Sequence, residues 1–217
     1  LVISQILPQK IGNYNKPLIL FLSIALFSQV AYNYYFQRKK KSIQKKEIHE
    51  VIMFSYGDNA LRKSKYSRCL ISPSMERLLY YLNYPRHSLD VCMYVFTNVD
   101  ITNAVLKLHY RGVKIRLIID ADMAFTNSNS CHRKKLEKQG IPIRWMKSTN
   151  LMHHKFCLMD VNNATESIPL VMLGSLNWTN QALSGNWEDV AVTSQRELVN
   201  QYRMEFERLW LLFTPIV

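Results

Sequence analysis

Residues 152–160, with the sequence MHHKFCLMD, join three basic side chains to an apolar run that is typical of a buried strand. Side chains two positions apart lie on the same face of a strand. We therefore expect His153 and Lys155 to point the same way, and His154 to point to the opposite face. An imidazole can attack phosphorus, and a lysine ammonium can hold a phosphoryl oxygen. The stretch predicts a strand that presents a nucleophile and a cation together.

Residues 174–179, with the sequence GSLNWT, supply the polar groups that such a nucleophile needs. Ser175 and Asn177 carry hydrogen-bond donors for the non-bridging oxygens of a phosphate. Asp160 lies five residues past Lys155, so strand alternation places it on the other face, and we expect it at the strand end, where it orients its neighbours. A carboxylate is also needed to fix the tautomer of the imidazole.

Together, these residues resemble a known signature. The pattern His153-x-Lys155-x4-Asp160 followed by Gly-Ser-x-Asn resembles the phospholipase D superfamily, and MHHKF, GSLNWT and NWEDV (186–190) resemble the animal mitochondrial phospholipase D, or Zucchini, family. The resemblance covers the chain from about Glu47 onward. It implies a phosphate-binding set and a catalytic set. The phosphate-binding set is Lys155, Ser175 and Asn177. The catalytic set is His153, Lys155, Asp160 and Glu188, in which Glu188 is the carboxylate partner of the imidazole.

The resemblance also implies a mechanism with two histidines and neither metal nor cofactor. One histidine forms a phosphohistidine, and the other protonates the leaving oxygen and then activates water. Because this chain holds one copy of the motif, the resemblance implies a homodimer in which two His153 side chains meet across a two-fold axis. Residues 47–88 lack the paired cysteines of a zinc site, so we expect no structural zinc there.

Strand and helix signals alternate from Glu47 to the C-terminus, which predicts an α/β domain over 47–217. We expect a mixed, largely parallel sheet flanked by helices, in keeping with a phospholipase D-like fold. Ser72-Pro73 is typical of a helix start, and Gly112 and Gly140 are typical of helix ends. Residues 161–173 exceed the usual spacing of the family and predict a longer hairpin loop.

The N-terminal region predicts a membrane anchor. After a tail (1–17), residues 18–37 form an uncharged, apolar stretch long enough to span a bilayer, and a basic linker (38–46) follows. The basic flank favours a cytosolic catalytic domain. A cleaved signal peptide or a buried helix fits this arrangement less well. The segment suits the mitochondrial outer membrane, and also that of the endoplasmic reticulum.

The net charge of +12 favours an anionic partner. Most of the excess lies in residues 1–46, which contain no Asp or Glu and are suited to anionic lipid. The body has basic clusters at 62–68, 107–116 and 133–147, which favour single-stranded RNA. We see no exposed apolar loop near the motif, so the sequence favours an endoribonuclease of PIWI-interacting RNA (piRNA) biogenesis, with piRNA-pathway proteins as partners. The alternatives are hydrolysis of cardiolipin to phosphatidic acid, and an idle membrane scaffold.

Overall fold

The computed structural model describes residues 15–42, 47–57, 60–121, 127–162 and 167–216. The chain divides into two compact units, an N-terminal segment that ends at Lys46 and a body, Glu47–Val217. Helix α1 (Asn15–Ser42) is about 42 Å long at 1.5 Å per residue. Its apolar window, Ile19–Phe36, has a mean hydropathy of 1.3 and exposes its side chains. This helix is long and apolar enough to cross a membrane. The predicted tail, except its last residues, and residues 43–46 of the linker lie outside the described residues.

The body is one sheet with helices on both faces, which confirms the mixed α/β class. Its strands are β1 (His49–Phe54), β2 (Ser88–Met93), β3 (Lys114–Ile119), β4 (Ile143–Trp145), β5 (Lys155–Met159), β6 (Leu170–Gly174), β7 (Glu188–Thr193) and β8 (Thr214–Pro215). Its helices are α2 (Pro73–Leu82), α3 (Val99–Tyr110), α4 (Asn127–Glu137), α5 (Asn180–Ser184) and α6 (Arg196–Leu212). Ser72 caps α2 by accepting from the Met75 N–H, and Gly112 and Gly140 follow their helices with positive φ, as predicted.

The strand order is β1-β7-β6-β5-β2-β3-β4-β8. Only β2 with β3 and β3 with β4 pair in parallel; the other neighbours are antiparallel. The expectation of a largely parallel sheet is therefore wrong. Parallel neighbours need a crossover, and α3 and α4 supply crossovers only between β2, β3 and β4. A hairpin joins β5 to β6, whose register pairs Met159 with Leu170; its residues 163–166 lie outside the described part.

Alternating strand residues divide the core into two layers. Val91, Leu117 and Cys157 pack into the larger cluster, which also contains residues of α2, α3 and α4. Their neighbours along the strands pack on the other face against α6, through Val199, Phe206 and Leu209. Burial on both faces explains why all six residues of β2 are buried and four of them are apolar. This covering on both sides fixes the central strands that carry the site.

The two sheet edges differ in how they end. Strand β1 forms one edge, and its Glu50 faces inward, where Arg77 and Tyr81 bind the carboxylate. Ser74 Oγ donates to the Met53 carbonyl oxygen at 2.6 Å. The other edge is β8, which has two residues, of which Pro215 has no N–H to donate.

Candidate active site

His153 and Lys155 meet at the N-terminal end of β5. The Lys155 Nζ atom lies 3.2 Å from both ring nitrogens of His153 and 2.9 Å from its carbonyl oxygen. The His153 side chain is exposed, whereas Lys155 is half-buried. Strand pairing of Met93 with Lys155 holds this end of β5 against β2. The structure therefore brings the predicted nucleophile and cation together on an accessible surface.

His154 points to the opposite face, as strand alternation predicts. Its Nε2 lies 3.4 Å from Glu205 Oε1 on α6, and its ring packs edge-on against Phe156. The two adjacent histidines thus have different surroundings: His154 contacts the α6 layer, and His153 faces the polar cluster. This difference makes His154 a matched control for tests of His153.

Ser175 and Glu188 meet where β6 and β7 lie side by side. Ser175 Oγ donates to Glu188 Oε2 in a short hydrogen bond and accepts from the Asp189 N–H at 3.1 Å. Asn186 Nδ2 donates to the other oxygen, Glu188 Oε1, at 2.9 Å. The close approach depends on Gly174, since a Cβ there would lie 2.2 Å from the Asp189 carbonyl oxygen. Gly174 is thus the residue that lets the Ser175 backbone approach β7.

Glu188 acts on the cluster through Lys155. Burial lowers the pKa of the Lys155 ammonium below its usual range, and the negative charge of Glu188 opposes this shift. Within the described residues, Glu188 forms no hydrogen bond with His153 of the same chain. Its predicted role as the partner that fixes the imidazole tautomer stays a prediction. What the geometry gives is a carboxylate that supports the charge of the lysine.

The remaining residues of the GSLNWT stretch anchor its loop. The Trp178 indole is buried against Phe96, with ring centroids 5.1 Å apart. The Trp178 carbonyl oxygen accepts from the Thr97 and Asn98 N–H groups, each at 2.9 Å. Thr179 caps α5 by accepting from the Ala182 N–H at 3.0 Å. Asn177 lies within this loop, and its buried Oδ1 atom has no hydrogen-bond partner in the described structure.

The structure does not bring Asp160 to this cluster. Asp160 follows the far end of β5, five residues past Lys155 and roughly 16 Å along the strand. Its buried carboxylate accepts from the backbone N–H groups of Arg86, His87 and Ser88 at 2.7–3.1 Å. It therefore holds the turn before β2, as the expected strand-end residue, and we do not assign it to the catalytic machinery.

The sequence did not point to Tyr94, which contacts the nucleophile directly. Its ring centroid lies 4.5 Å from that of His153, and the Lys155 Nζ lies 5.2 Å from the Tyr94 centroid. Tyr94 follows β2, and the β2–β5 pairing that brings it there links residues about sixty positions apart. Finding Tyr94 requires knowing the strand order. Asn186 stands in the NWEDV stretch, two residues before Glu188, but it was given no role there, although its contact with Glu188 is local.

Among the described residues, no group of three or more His, Cys, Asp or Glu side chains is arranged to hold a metal ion. Cys69 is exposed, and Cys92 and Cys157 are buried thiols. Burial raises the pKa of both buried thiols above its usual range. These two are inert core residues.

A groove of about 770 Å³ lies beside the cluster. Phe54, which pairs with Glu188 across β1 and β7, lines one wall, and α5 lines another. Four exposed apolar side chains line it: Tyr56, Leu61, Leu70 and Val99. The expectation that no exposed apolar surface lies near the motif is therefore wrong. These residues come from three separate segments, so no single stretch of sequence displays the surface.

Each of the three predicted basic clusters has a member that is bound within the fold. Arg116 binds Asp90 and Glu207, and Arg144 donates to the Trp210 and Phe213 carbonyl oxygens. In the 62–68 cluster, Arg62 pairs with Glu76, whereas Lys63 and Arg68 are exposed on the loop that borders the groove. The first cluster is thus the one that leaves cations beside the groove.

Residues 78–210 match a family model described as "Cardiolipin synthase, PLD-like domain". The mitochondrial cardiolipin hydrolase of Chlamydomonas reinhardtii is 38% identical over 140 residues, which are 64% of this chain and 59% of that protein. The protein of the same name from Xenopus tropicalis is 34% identical over 179 residues, or 79% of this chain and 81% of that protein.

The fold has a solved counterpart in Nuc of Salmonella typhimurium, a phospholipase D family member. The alignment has a TM-score of 0.63 at 20% identity and covers 79% of this chain and 99% of Nuc. This likeness supports the fold alone. The matched region includes the His153–Lys155 and GSLNWT segments and more than half of the chain. The chain therefore belongs to the phospholipase D superfamily and, within it, to the mitochondrial phospholipase D (Zucchini) family.

Proposed function

We propose that this chain is a membrane-anchored phosphodiesterase that acts through a phosphohistidine at His153. The observation that carries the proposal is the contact of an exposed imidazole with the Lys155 ammonium at 3.2 Å, beside the Ser175–Glu188 pair. This arrangement puts a nucleophile next to a cation and a hydroxyl. A phosphate diester requires those groups at its phosphorus and at its non-bridging oxygens.

In the proposed reaction, a ring nitrogen of His153 forms a bond to phosphorus while the bond to the leaving alcohol oxygen breaks. An acid gives that oxygen its proton. Water then attacks phosphorus and gives up a proton, and the nitrogen–phosphorus bond breaks. Lys155, Ser175 and Asn177 hold the non-bridging oxygens in both steps. No metal or cofactor takes part in this scheme.

The scheme needs a second acid-base group, and we propose that a second copy of the chain supplies it. His154 points to the α6 face and contacts Glu205, so it cannot reach a leaving group bound at His153. His132, which hydrogen-bonds Thr102 at 3.0 Å, belongs to the contact between α3 and α4. A homodimer with two His153 side chains at one two-fold axis would complete the reaction.

We propose cardiolipin as the first substrate, with phosphatidic acid as a product. Two observations support it. The apolar groove is lined by Phe54, the cross-strand partner of Glu188, and relatives of the chain are named mitochondrial cardiolipin hydrolases. The apolar helix α1 would hold the body next to lipid. This ranking reverses the one that the sequence favoured, because the apolar surface is visible only in the folded chain.

Single-stranded RNA is the second candidate substrate, with a role in piRNA biogenesis and its partner proteins. Lys63 and Arg68 are exposed beside the groove, and the Trp187 indole, next to Glu188, is 76% exposed. A cationic groove and an exposed aromatic ring are the elements that bind a single strand without sequence preference.

We further propose that the protein resides in the mitochondrial outer membrane with its body in the cytosol. The basic residues that follow the apolar window support this orientation. Protease added to intact mitochondria should digest the body and leave the α1 segment protected. Protection of the body under the same conditions would contradict the orientation.

The deciding experiment offers the purified full chain cardiolipin vesicles and single-stranded RNA in parallel. His153→Ala should lower turnover at least about thousandfold, because the covalent route is lost. His154→Ala, the adjacent histidine on the other face, should change kcat less than about threefold. When the reaction on phosphorus-labelled substrate is stopped by denaturation at alkaline pH, the wild-type and His154→Ala chains should carry covalent label that acid releases, and the His153→Ala chain should carry none.

Lipid turnover without RNA cleavage would support the first candidate, and RNA cleavage without lipid turnover would support the second. If His153→Ala retains activity on both substrates, the site assignment fails. If neither substrate is cleaved while a simple chromogenic phosphodiester is hydrolysed, the result supports phosphodiesterase chemistry and contradicts both substrate proposals.

A further inference from the structure

We infer that the groove beside the catalytic cluster is a binding site for an acyl chain of an anionic phospholipid. This inference rests on the proposed function only in that the phosphate of the same lipid would enter the His153 site. The groove itself is a separate subsite, built from β1, the 62–71 loop and the N-terminal ends of α2, α3 and α5. None of its lining residues belongs to the catalytic cluster.

The groove has the volume and the apolar lining of a binding site for a hydrocarbon chain. A volume of about 770 Å³ falls in the range of small-molecule sites. Met75, Ile71 and Phe54 form a buried apolar floor, and Leu61 and Leu70 stand exposed at the mouth. Exposed apolar side chains that converge on one groove are unusual on a protein surface, and they mark a binding site. The surface is suited to a hydrocarbon chain.

Positive charge is concentrated on the loop at the rim of the groove. Lys63, Lys65 and Arg68 lie on the loop between Leu61 and Leu70, which line the groove, and all three are exposed. The acid in the groove, Asp100, accepts from Ser67 Oγ at 3.0 Å, which ties the loop to the start of α3. An apolar groove with a basic rim matches a ligand with a hydrocarbon part and a negative headgroup. An anionic phospholipid has both.

The groove is connected to the catalytic cluster through two of its lining residues. Phe54 lines the groove and is the direct cross-strand partner of Glu188, so the two Cα atoms lie about 5 Å apart. Asn180, on the α5 wall, accepts from Asn98 Nδ2 at 2.7 Å, and it comes three residues after Asn177. A lipid whose phosphate binds Lys155 and Ser175 would have its acyl chain within reach of the groove. The chain's own apolar helix supplies the reason for a lipid occupant.

The test measures occupancy without turnover. In the full-length His153→Ala chain with Cys131→Ser, Cys69 at the groove is the reactive thiol, because Cys92 and Cys157 are buried. A fluorophore on Cys69 is quenched on contact by lipids with brominated acyl chains. In reconstituted vesicles, brominated cardiolipin should quench at least about threefold more strongly than brominated phosphatidylcholine at equal content, because only it satisfies the basic rim.

Two groove variants and one matched control make the result specific. Leu70→Glu and Val99→Glu replace exposed groove residues and should abolish the excess quenching. Leu211→Glu replaces an exposed leucine on α6, outside the groove, and should preserve it. In the chain with His153 intact, Leu70→Glu should lower cardiolipin turnover about tenfold, because covering one leucine with a bound acyl chain contributes about that factor to affinity. Hydrolysis of a water-soluble chromogenic phosphodiester should be unaffected.

Several outcomes would overturn the inference. Equal quenching by both brominated lipids would show that the groove does not prefer an anionic lipid. Absence of quenching would show that no acyl chain binds in the groove. Protection of Cys69 by single-stranded RNA would give the groove to RNA. A shift to monomer in Leu70→Glu, seen by sedimentation, would give it to a second copy. If the quenching occurs but no lipid is hydrolysed, the groove is still a lipid-binding site and the proposal of cardiolipin as the substrate fails.

Discussion

The Lys155 ammonium is the residue whose charge state should limit the reaction at alkaline pH. Because burial lowers its pKa, Lys155 loses its proton at a lower pH than a free lysine does. Activity requires the charged form, so kcat/KM should fall as pH rises, with a midpoint below that of a solvent-exposed lysine. Lys155→Arg keeps a charge through this range and should remove the alkaline limb, at reduced overall activity.

Glu188→Gln tests the other half of that argument. Glu188 raises the pKa of Lys155, so its neutral analogue should move the alkaline limb to still lower pH. The measurement is the pH dependence of residual kcat/KM, or of phosphate-analogue binding where turnover is too slow. An unchanged limb in Glu188→Gln would show that the carboxylate does not support the charge of the lysine.

Gly174 makes a prediction about stability at the same scale. An alanine Cβ would sit 2.2 Å from the Asp189 carbonyl oxygen, so β6 and β7 must separate. We expect Gly174→Ala to lower the free energy of unfolding by about 3 kcal/mol. Gly140→Ala is the matched control, because nothing lies within 4 Å of its Cβ and only the positive φ is strained; it should cost about 1 kcal/mol. Urea denaturation of both variants measures the difference.

At the scale of elements, Asp160 connects the end of β5 to the start of β2. Its carboxylate accepts from three consecutive backbone N–H groups, and its own φ is 56°. Asparagine tolerates this left-handed conformation but replaces one acceptor oxygen with a donor. Asp160→Asn should therefore lower the free energy of unfolding by about 2 kcal/mol while kcat of the folded protein changes little. A large loss of kcat with unchanged stability would restore Asp160 to the catalytic set.

Arg116 joins the sheet to α6 through Asp90 and Glu207, with hydrogen bonds of 2.7–3.1 Å. Burial raises the pKa of Asp90, and Arg116 opposes this rise. Arg116→Met leaves the Asp90 carboxylate buried without its cation, which should cost about 3 kcal/mol near neutral pH.

The pH dependence of that loss provides its test. A carboxyl group whose folded pKa is raised binds its proton more readily in the folded state than in the unfolded state. Its penalty is therefore relieved as the pH falls through the folded pKa. The stability difference between Arg116→Met and wild type should shrink toward acidic pH. A difference that is constant with pH would show that Asp90 is not the source of the loss.

Local patterns predicted a good part of the site, for physical reasons that individual residues illustrate. His153, His154 and Lys155 were placed correctly because strand alternation depends only on neighbouring positions. The helix start at Ser72 was likewise a local matter. Tyr94 and the groove depend on which strands become neighbours, and that depends on packing between distant segments. The parallel character of the sheet was overestimated for the same reason: the sequence displays elements in order but not their pairing.

At the scale of the whole molecule, the proposed homodimer leads to a quantitative prediction. If two His153 side chains act at one site, a dimer with one His153→Ala subunit is inactive. In randomly assembled mixtures of differently tagged subunits, activity should then fall as the square of the wild-type fraction. A linear decrease would show that each chain acts alone. His154→Ala subunits in the same mixtures should leave activity unchanged.

The two sheet edges affect how readily copies of the protein aggregate. Open edges invite copies of a protein to add strand to strand into insoluble polymers. An inward-facing, half-buried charge on one edge strand, Glu50, and a proline in the two-residue strand at the other edge make such extension unfavourable. In the proposed membrane-anchored state, chains diffuse in two dimensions and collide often, so protection of the strand edges against aggregation has its greatest effect there. Association is then left to surfaces other than the strand edges, where geometry can limit it to a closed assembly.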